Sequence, residues 1–139
     1  MNIIKNKSTF RFSKFVVLES YFQMTESSDF GISIQIEPKG RLLKTDKVFV
    51  LAQDLEISEE NNKFSIKIKS LAQFDFDEIP EDEASFSFFT INAPAIVFPY
   101  IRAYISNLTT LSGLSTITLP TLNLIDMSEL LKKNIEIVE

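Results

Sequence analysis

The sequence predicts an α+β domain, in which a four-stranded antiparallel sheet carries two C-terminal helices on one side. Two observations lead to this fold class. In the first 76 residues, apolar and polar side chains alternate with a period of two, as they do in half-buried strands. After residue 97 the apolar side chains follow the helical period instead, and a second helical segment begins near residue 126. Strands followed by helices are typical of α+β architecture.

Four segments have the pattern of strands. Residues 9–24 alternate over more than the length of an average strand, so we expect this strand to be bent or bulged. Its predicted common face consists of Phe10, Phe12, Val16, Leu18, Phe22 and Met24. A short strand at residues 32–36 is expected to stop at Pro38, because proline cannot donate a ladder hydrogen bond. Residues 48–57 and 64–76 flank a polar turn and predict a hairpin.

Two helices are expected after the strands. The first should begin near Pro99, after a kinked lead-in from Asn92, because a proline restricts the residue before it. Its apolar stripe consists of Val97, Tyr100, Ile101, Tyr104, Ile105, Leu108 and Leu111. Gly113 is placed to cap its end. An extended link at residues 116–124 precedes the second helix, which a capping box starting at Asp126 is expected to open. The predicted inner face of that helix consists of Met127, Leu130, Leu131, Asn134 and Ile135.

The composition excludes much of enzyme chemistry. The 139 residues include no His, Cys or Trp, so thiol nucleophiles, imidazole bases, disulfides and the usual zinc sites are absent. The acidic run at residues 77–83 has neither the spacing nor the glycine of a calcium loop. Paired carboxylates for glycoside hydrolysis lack a Trp platform for the sugar. We therefore expect one domain over residues 1–139 that is not an enzyme and has no cofactor and no metal.

Charge and hydropathy restrict the partners. The net charge of −5 opposes binding to a phosphate backbone, so we expect no nucleic-acid partner. The N-terminus has no apolar signal sequence, and the longest apolar run, at residues 93–101, is too short to span a bilayer. A cytoplasmic protein without direct membrane insertion is expected. The 13 phenylalanines exceed what one small core needs, which indicates a larger assembly or an apolar binding surface.

Residues 92–124 contain a distinctive order of residues. It consists of Phe98-Pro99-Tyr100 at the start of the helix, Arg102 and Ile105 within it, Gly113 at its end, and Leu119-Pro120 with Asn123 in the link. This pattern resembles the SecB family of export chaperones. The strand end Phe74-Asp75-Phe76 and the Thr9-Phe10 start of the first strand match the family in position. Together the resemblance covers about residues 9–135.

The resemblance implies a homotetramer, built as a dimer of dimers, that holds unfolded or precursor polypeptides in apolar grooves without ATP, often for delivery to the export motor SecA. The implied groove residues are Phe30, Phe74, Phe76, Phe86, Phe88 and Phe98. The implied oligomer interface consists of Tyr100, Ile101, Tyr104, Ile105 and Leu108, and an Ile105→Asp change is expected to break the assembly. Glu19 stands at a position that contacts SecA in the family, whereas Gln23 replaces an expected acid.

Several alternatives stay open at this point. Some members of the family guard the antitoxin of a toxin–antitoxin pair, and the resemblance is equally compatible with such a dedicated chaperone. A non-chaperone oligomeric adaptor and a binder of small apolar ligands are compatible with the same phenylalanines. The stripe of the long helix also fits simple packing on its own sheet, and the phenylalanines fit an ordinary core.

Overall fold

The computed structural model describes residues 10–25, 31–59, 64–121 and 123–139. Within these residues the chain forms five strands and two helices, which are β1 (Phe10–Met24), β2 (Ile32–Leu43), β3 (Val48–Glu59), β4 (Phe64–Phe76), α1 (Glu83–Leu111), α2 (Leu124–Lys133) and β5 (Ile135–Val138). The buried residues of both helices join the core cluster on one face of a single sheet. The predicted α+β class is therefore confirmed.

The sheet contains a fifth strand that the sequence analysis does not predict. The strand order is β1-β4-β3-β2-β5. The pairs among β1, β2, β3 and β4 are antiparallel, but β5 pairs in parallel with β2 at residues 40–43. The sheet of the described residues is thus mixed and five-stranded, which corrects the prediction of a purely antiparallel four-stranded sheet. Periodicity misses β5 because it follows α2 directly and Ile135 also continues the helical stripe.

β1 turns different residues toward the core than simple alternation predicts. Two register shifts interrupt its pairing with β4, one after Phe12 and one after Val17. Each bulge inserts an extra residue and reverses the alternation. Phe15 and Val17 therefore pack against the core, where a strict period of two places Val16 and Leu18. The predicted bulging is confirmed, whereas the predicted common face is wrong for Val16 and Leu18.

β2 continues through Pro38 to Leu43, which corrects the predicted stop at the proline. Proline is tolerated on the outer edge of a sheet, where its missing N–H costs no bond to a neighbouring strand. Gly40 is required by packing, because a Cβ atom there would overlap the ring of Phe49. The absence of a side chain at Gly40 lets Phe49 lie fully buried against β2.

The core is richest in aromatic rings where the end of β4 meets the first turns of α1. Phe89 of α1 is the centre of this cluster, with ring centroids 4.6 Å from Phe49 and 4.8 Å from Phe76. Phe10 of β1 lies 5.2 Å from the Phe89 ring in an edge-to-face arrangement. Such edge-to-face pairs add to the free energy gained from burial. The cluster therefore holds the N-terminal half of α1 on the sheet.

α1 is much longer than the sequence predicts. It begins at Glu83 rather than near Pro99, and it continues through both Pro94 and Pro99. Each proline removes one helical hydrogen bond. The buried side chains on the sheet-facing side, Val97 among them, supply packing that offsets this loss. The predicted kinked lead-in is therefore part of one helix.

The cap at the C-terminus of α1 agrees with the prediction, whereas the cap at the N-terminus of α2 does not. Gly113 has a φ of 85°, and the N–H of Leu114 donates to the carbonyl of Thr109 at 3.0 Å, which closes α1 as predicted. α2 is capped by Asn123, whose side-chain oxygen accepts two backbone N–H bonds of the first turn at 3.1 and 3.2 Å. The predicted cap at Asp126 is wrong. Asp126 instead lies in the first turn, where a negative charge favours the helix dipole.

Candidate functional site

An open cavity of about 780 Å³ lies between the end of β4 and the first turns of α1. Its lining combines apolar and acidic side chains, namely Lys47, Glu78, Ile79, Pro80, Glu81, Asp82, Ala84, Ser85 and Phe88. Phe88 exposes 58% of its surface there, whereas Phe89, the next residue, is buried in the core. A large ring left in water beside a concave surface is typical of a site that binds an apolar group.

The cap of α1 fixes the position of this cavity. The backbone N–H and the hydroxyl of Ser85 donate hydrogen bonds to the carboxylate of Asp82 at 2.7 and 3.1 Å. These bonds favour the ionised form and hold the pKa of Asp82 below its ordinary value. Glu78 and Glu81 line the same cavity. The exposed ring of Phe88 therefore lies beside an electronegative rim.

The outward side of α1 is a second apolar surface. Its exposed large side chains are Phe88, Ile91, Ile96, Tyr100 and Leu111. The sequence between Glu83 and Arg102 contains no charged residue. A helix that is apolar on all sides is normally buried on all sides. The ring of Tyr100 packs against Phe12 and Phe15 of β1, with ring centroids 5.0 and 5.6 Å away. The part of the outward side that stays exposed is therefore formed mainly by Ile91, Ile96 and Leu111.

By length and composition, α1 is also able to cross a membrane, and it is the only such helix in the part of the chain that the structure describes. It extends well beyond the apolar run at residues 93–101 on which the sequence-based expectation rests. Its inner side chains Val97, Ile101 and Ile105 are buried against the sheet. Packing on the sheet therefore accounts for the apolar side chains on the inner side of α1.

Polar side chains of α1 hold the link that leads to α2. Nε of Arg102 donates to the carbonyl of Leu119 at 3.0 Å, and the guanidinium lies 5.2 Å from the ring centroid of Phe98. The hydroxyl of Thr109 accepts the backbone N–H of Ile117 at 2.9 Å. Sequence reasoning misses this role of Arg102, because the partners are backbone groups that any residue would supply.

A buried hydroxyl pair joins the two helices. The hydroxyl oxygens of Thr90 in α1 and Ser128 in α2 lie 3.0 Å apart in the core. At the surface, Nζ of Lys132 donates to the hydroxyl of Ser87 at 2.9 Å. Buried hydroxyls need such partners, since an unpaired one costs free energy. The hydroxyl pair and the link together fix α2 beside α1.

Comparisons with known proteins agree with this geometry. Residues 16–135 match the family model of the preprotein translocase subunit SecB. The chain belongs to the SecB family. The resemblance noted in the sequence is thereby confirmed.

A solved structure has the same SecB-like fold. The Mycobacterium tuberculosis SecB-like chaperone Rv1957, in complex with a ChAD peptide from the Rv1956 HigA1 antitoxin, has a TM-score of 0.69 and 18% identity, over 83% of this chain and 88% of that chain. A protein of unknown function from Streptococcus agalactiae has a TM-score of 0.47 and 12% identity, over 81% of this chain and 97% of that chain. No curated protein matches the sequence.

The groove residues expected for a SecB-family protein do not all lie together. Phe74 and Phe76 are buried in the core of their own chain, which corrects their expected role, because a ring packed inside its own chain is closed to a client. Phe88 is exposed at the cavity, and Phe86 and Phe98 are half-buried. The predicted groove residue Phe30 lies outside the described residues. Period two places Phe74 and Phe76 on the apolar face, but only the position of α1 decides that this face is covered.

The expected interface residues divide between the two sides of α1. Ile101 and Ile105 are buried against their own sheet, so they are core residues, which corrects the prediction. Tyr104 and Leu108 are half-buried and pack against the core cluster. Tyr100 is exposed on the outward side. The helical stripe in the sequence thus marks the side of α1 that faces its own sheet more than the side that faces outward.

Glu19, the expected SecA contact, lies on the sheet face opposite the helices. Its carboxylate is 3.6 Å from Nζ of Lys69, and both side chains are exposed. Lys69 is also the cross-strand partner of Asp54, which in turn pairs with Glu37. Neighbouring charges of opposite sign reduce the field that a distant basic partner experiences. Glu19 is therefore accessible but belongs to a mixed-charge surface.

The chemistry offered by these surfaces is non-covalent binding. Within residues 10–25, 31–59, 64–121 and 123–139, no group of three or more His, Cys, Asp or Glu side chains is placed to hold a metal ion. The outward side of α1 and the ring of Phe88 offer apolar contact, which requires no particular partner sequence. Membership of the SecB family supports a chaperone role in which no catalytic step is needed.

Proposed function

We propose that this protein is an ATP-independent chaperone of the cytoplasm that binds unfolded polypeptides on its exposed apolar surfaces. The observation that carries the proposal is the exposed ring of Phe88 beside the cavity at the start of α1, in a chain of the SecB family. A chaperone of this kind acts by mass action, since it binds the unfolded state of its client. The proposed activity therefore requires neither a cofactor nor an enzymatic step.

The proposed assembly is a homotetramer that forms as a dimer of dimers through α1. The large apolar side chains that this helix leaves exposed include Ile91, Ile96 and Leu111. Burying them against a second copy would remove the large uncharged surface. Tyr104 and Leu108, which are half-buried, would border this interface rather than form its centre.

Export is the first proposed destination of the clients. The matching family is described as a preprotein translocase subunit, which supports delivery to the motor SecA. Glu19 is the proposed contact, because it is exposed on the open face of the sheet. A Glu19→Lys variant should then bind SecA more weakly while it holds unfolded proteins as well as the wild type does.

A dedicated antitoxin chaperone is the second proposal. It is favoured by the fold similarity to a chaperone solved with an antitoxin peptide. It is also favoured by the mixed charges around Glu19, which make this face a weaker electrostatic contact for any positively charged partner surface. Binding to several unrelated unfolded proteins would support the export proposal, whereas binding to a single antitoxin would support this one.

Suppression of aggregation tests the chaperone proposal. A slow-folding protein is diluted from denaturant with the purified chain, and light scattering is followed against time. Wild type should suppress scattering, and Phe88→Ser should need about tenfold more protein for the same effect, as expected when a large aromatic contact is lost.

Leu18→Ser is the matched control, because Leu18 and Phe88 are both 58% exposed but Leu18 lies on β1. The control should act like the wild type. A wild-type protein that leaves scattering unchanged would exclude the chaperone. Such a result, together with little binding of a dye for apolar surfaces, would favour an oligomeric adaptor.

A further inference from the structure

The outer edge of β2 is only half occupied. β5 covers residues 40–43 of this edge, and among the described residues no strand pairs with the edge at residues 32–39. The open part carries an alternating sequence, Ile32-Ser33-Ile34-Gln35-Ile36-Glu37. A strand edge with unpaired backbone groups is a template for another extended chain. The chain's own C-terminal strand demonstrates that this edge accepts one.

The backbone groups of the open part point outward. The N–H of Gly40 donates to the carbonyl of Asn134 at 3.0 Å, and the N–H of Lys44 donates to the carbonyl of Val138 at 2.9 Å. Even-numbered residues of β2 therefore turn their backbone groups away from β3. The register between β2 and β3 is regular over the whole strand, so the same alternation extends to Ile32, Ile34 and Ile36.

Pro38 separates the two parts of the edge. As an even-numbered residue, it stands where a backbone N–H would point outward, and it has none. Pairing along the edge is therefore interrupted between the occupied part and the open part. An incoming chain can pair with residues 32–37 first and then meet β5.

β5 itself is weakly held. It is four residues long and pairs in parallel with β2, the less stable orientation per residue. Its ion pairs, Arg41 with Glu136 at 3.4 Å and Lys44 with Glu139 at 3.3 Å, are exposed and contribute little. Ile137 remains 52% exposed, and only Ile135 packs against the core cluster. The match to the SecB family ends at residue 135, where β5 begins.

We propose that β5 is a resident occupant of a strand-addition edge, and that an extended segment of an unfolded polypeptide replaces it on β2. The incoming segment pairs with residues 32–37 and then extends along residues 40–43. Exchange of one backbone partner for another leaves the number of hydrogen bonds at residues 40–43 nearly unchanged. A client already paired at residues 32–37 is held beside residues 40–43 at high effective concentration, which favours its competition with β5. The inference rests on the proposed chaperone function.

The side chains of β2 define the kind of segment that fits. Ile34 and Ile36 are half-buried against the core cluster on the helix side of the sheet, whereas Gln35 and Glu37 lie on the opposite face. An added strand places its own side chains alternately on these two faces. The preferred segment therefore alternates apolar and polar residues, as an unpaired strand of an unfolded β protein does.

A disulfide that locks β5 in place tests the proposal. Arg41 and Glu136 are directly paired across β2 and β5, and the chain has no cysteine of its own. In the Arg41→Cys/Glu136→Cys variant, oxidation therefore forms one defined bond, whose formation is confirmed by mass. The dissociation constant for an unfolded β-rich protein, whose own thiols are reduced and alkylated so that they cannot exchange with the engineered disulfide, is then measured with the variant in both states. The oxidised variant should bind at least about tenfold more weakly than the same variant with its thiols reduced and alkylated.

The control variant Glu56→Cys/Lys67→Cys joins β3 to β4 in the middle of the sheet, where no strand has to move. Its oxidised and alkylated forms should bind equally. Equal binding by the oxidised and alkylated forms of the β5 variant would overturn the inference and leave the chaperone function intact. Failure of the alkylated form and of the wild type to bind the unfolded protein would instead overturn the chaperone function itself.

Amide exchange gives a second readout on the unmodified chain. With client bound, the amides of Ile32, Ile34 and Ile36 should exchange more slowly, and those of Glu136 and Val138, which face β2, should exchange faster. Unchanged protection of β5 in the complex would also overturn the inference.

Discussion

The two sides of helix α1 have similar composition but opposite surroundings. On the inner side, Val97, Ile101 and Ile105 are buried against the sheet of the same chain. On the outer side, Ile96 and Tyr100 are exposed. Apolar composition identifies surfaces that need to be covered, but it does not identify what covers them. The inner side belongs to the fold, and the outer side is available for assembly.

The largest effect is expected on the inner side. Replacing Ile105 with Ala should lower the free energy of unfolding by about 2–5 kcal/mol, because the surrounding core closes only partly around the missing atoms. Urea unfolding followed by circular dichroism measures this loss. Ile105→Asp should prevent folding altogether, since a charge would be left in an apolar core. A folded but dissociated Ile105→Asp protein would show instead that Ile105 lies in the oligomer interface.

A smaller and different effect is expected on the outer side. Ala103 is exposed and lies about two helical turns after Ile96, on the same side of α1. Ala103→Glu should leave the thermal midpoint of the separated chain nearly unchanged, because glutamate is a good helix former. It should nevertheless shift the sedimenting species to smaller mass, because a charge in an apolar interface is costly. Thr121→Glu, at an exposed position of the link, is the control and should keep the wild-type mass.

An unchanged mass for Ala103→Glu would show that the outer side of α1 is not the interface. The exposed apolar side chains on the outer side of α1 would then be explained by client binding alone. In that case Ala103→Glu should reduce the suppression of aggregation instead.

The smallest effect is expected at the N-terminus of α1, where Asp82 caps the helix. The hydrogen bonds from Ser85 lower the pKa of Asp82 in the folded chain relative to its ordinary value of 3.8. The stabilisation is therefore fully present above that value, and it is lost as the pH falls through the lower pKa of the folded state. Thermal midpoints of the wild type and Asp82→Asn are compared between about pH 6 and pH 2. The advantage of the wild type should shrink only in the acidic part of this range, and an advantage that grows on acidification would contradict the assigned cap.

Much of the sheet was predictable because its pattern is local. The even-numbered face of β4 over Phe64–Phe76 and the hairpin with β3 follow from alternation that neighbouring residues supply. The bulges of β1 were predictable in kind but not in position, since an inserted residue is defined only by the partner strand. The candidate site was predictable in part. Phe88 is exposed as a groove residue requires, but Phe74 and Phe76, which share its chemistry, are covered by α1.

The sequence by itself determined the α+β class, the antiparallel hairpin and the Gly113 cap, because periodicity and end signals act over a few residues. The family was indicated separately, by the resemblance of residues 92–124 to the SecB family. Only the tertiary structure decided that α1 begins at Glu83, which of its sides meets the sheet, and that Ile135–Val138 forms a strand on β2. The physical reason is that burial is set by whichever surface lies opposite. Two phenylalanines or isoleucines with identical local patterns therefore become core or surface according to contacts with residues far away in the chain.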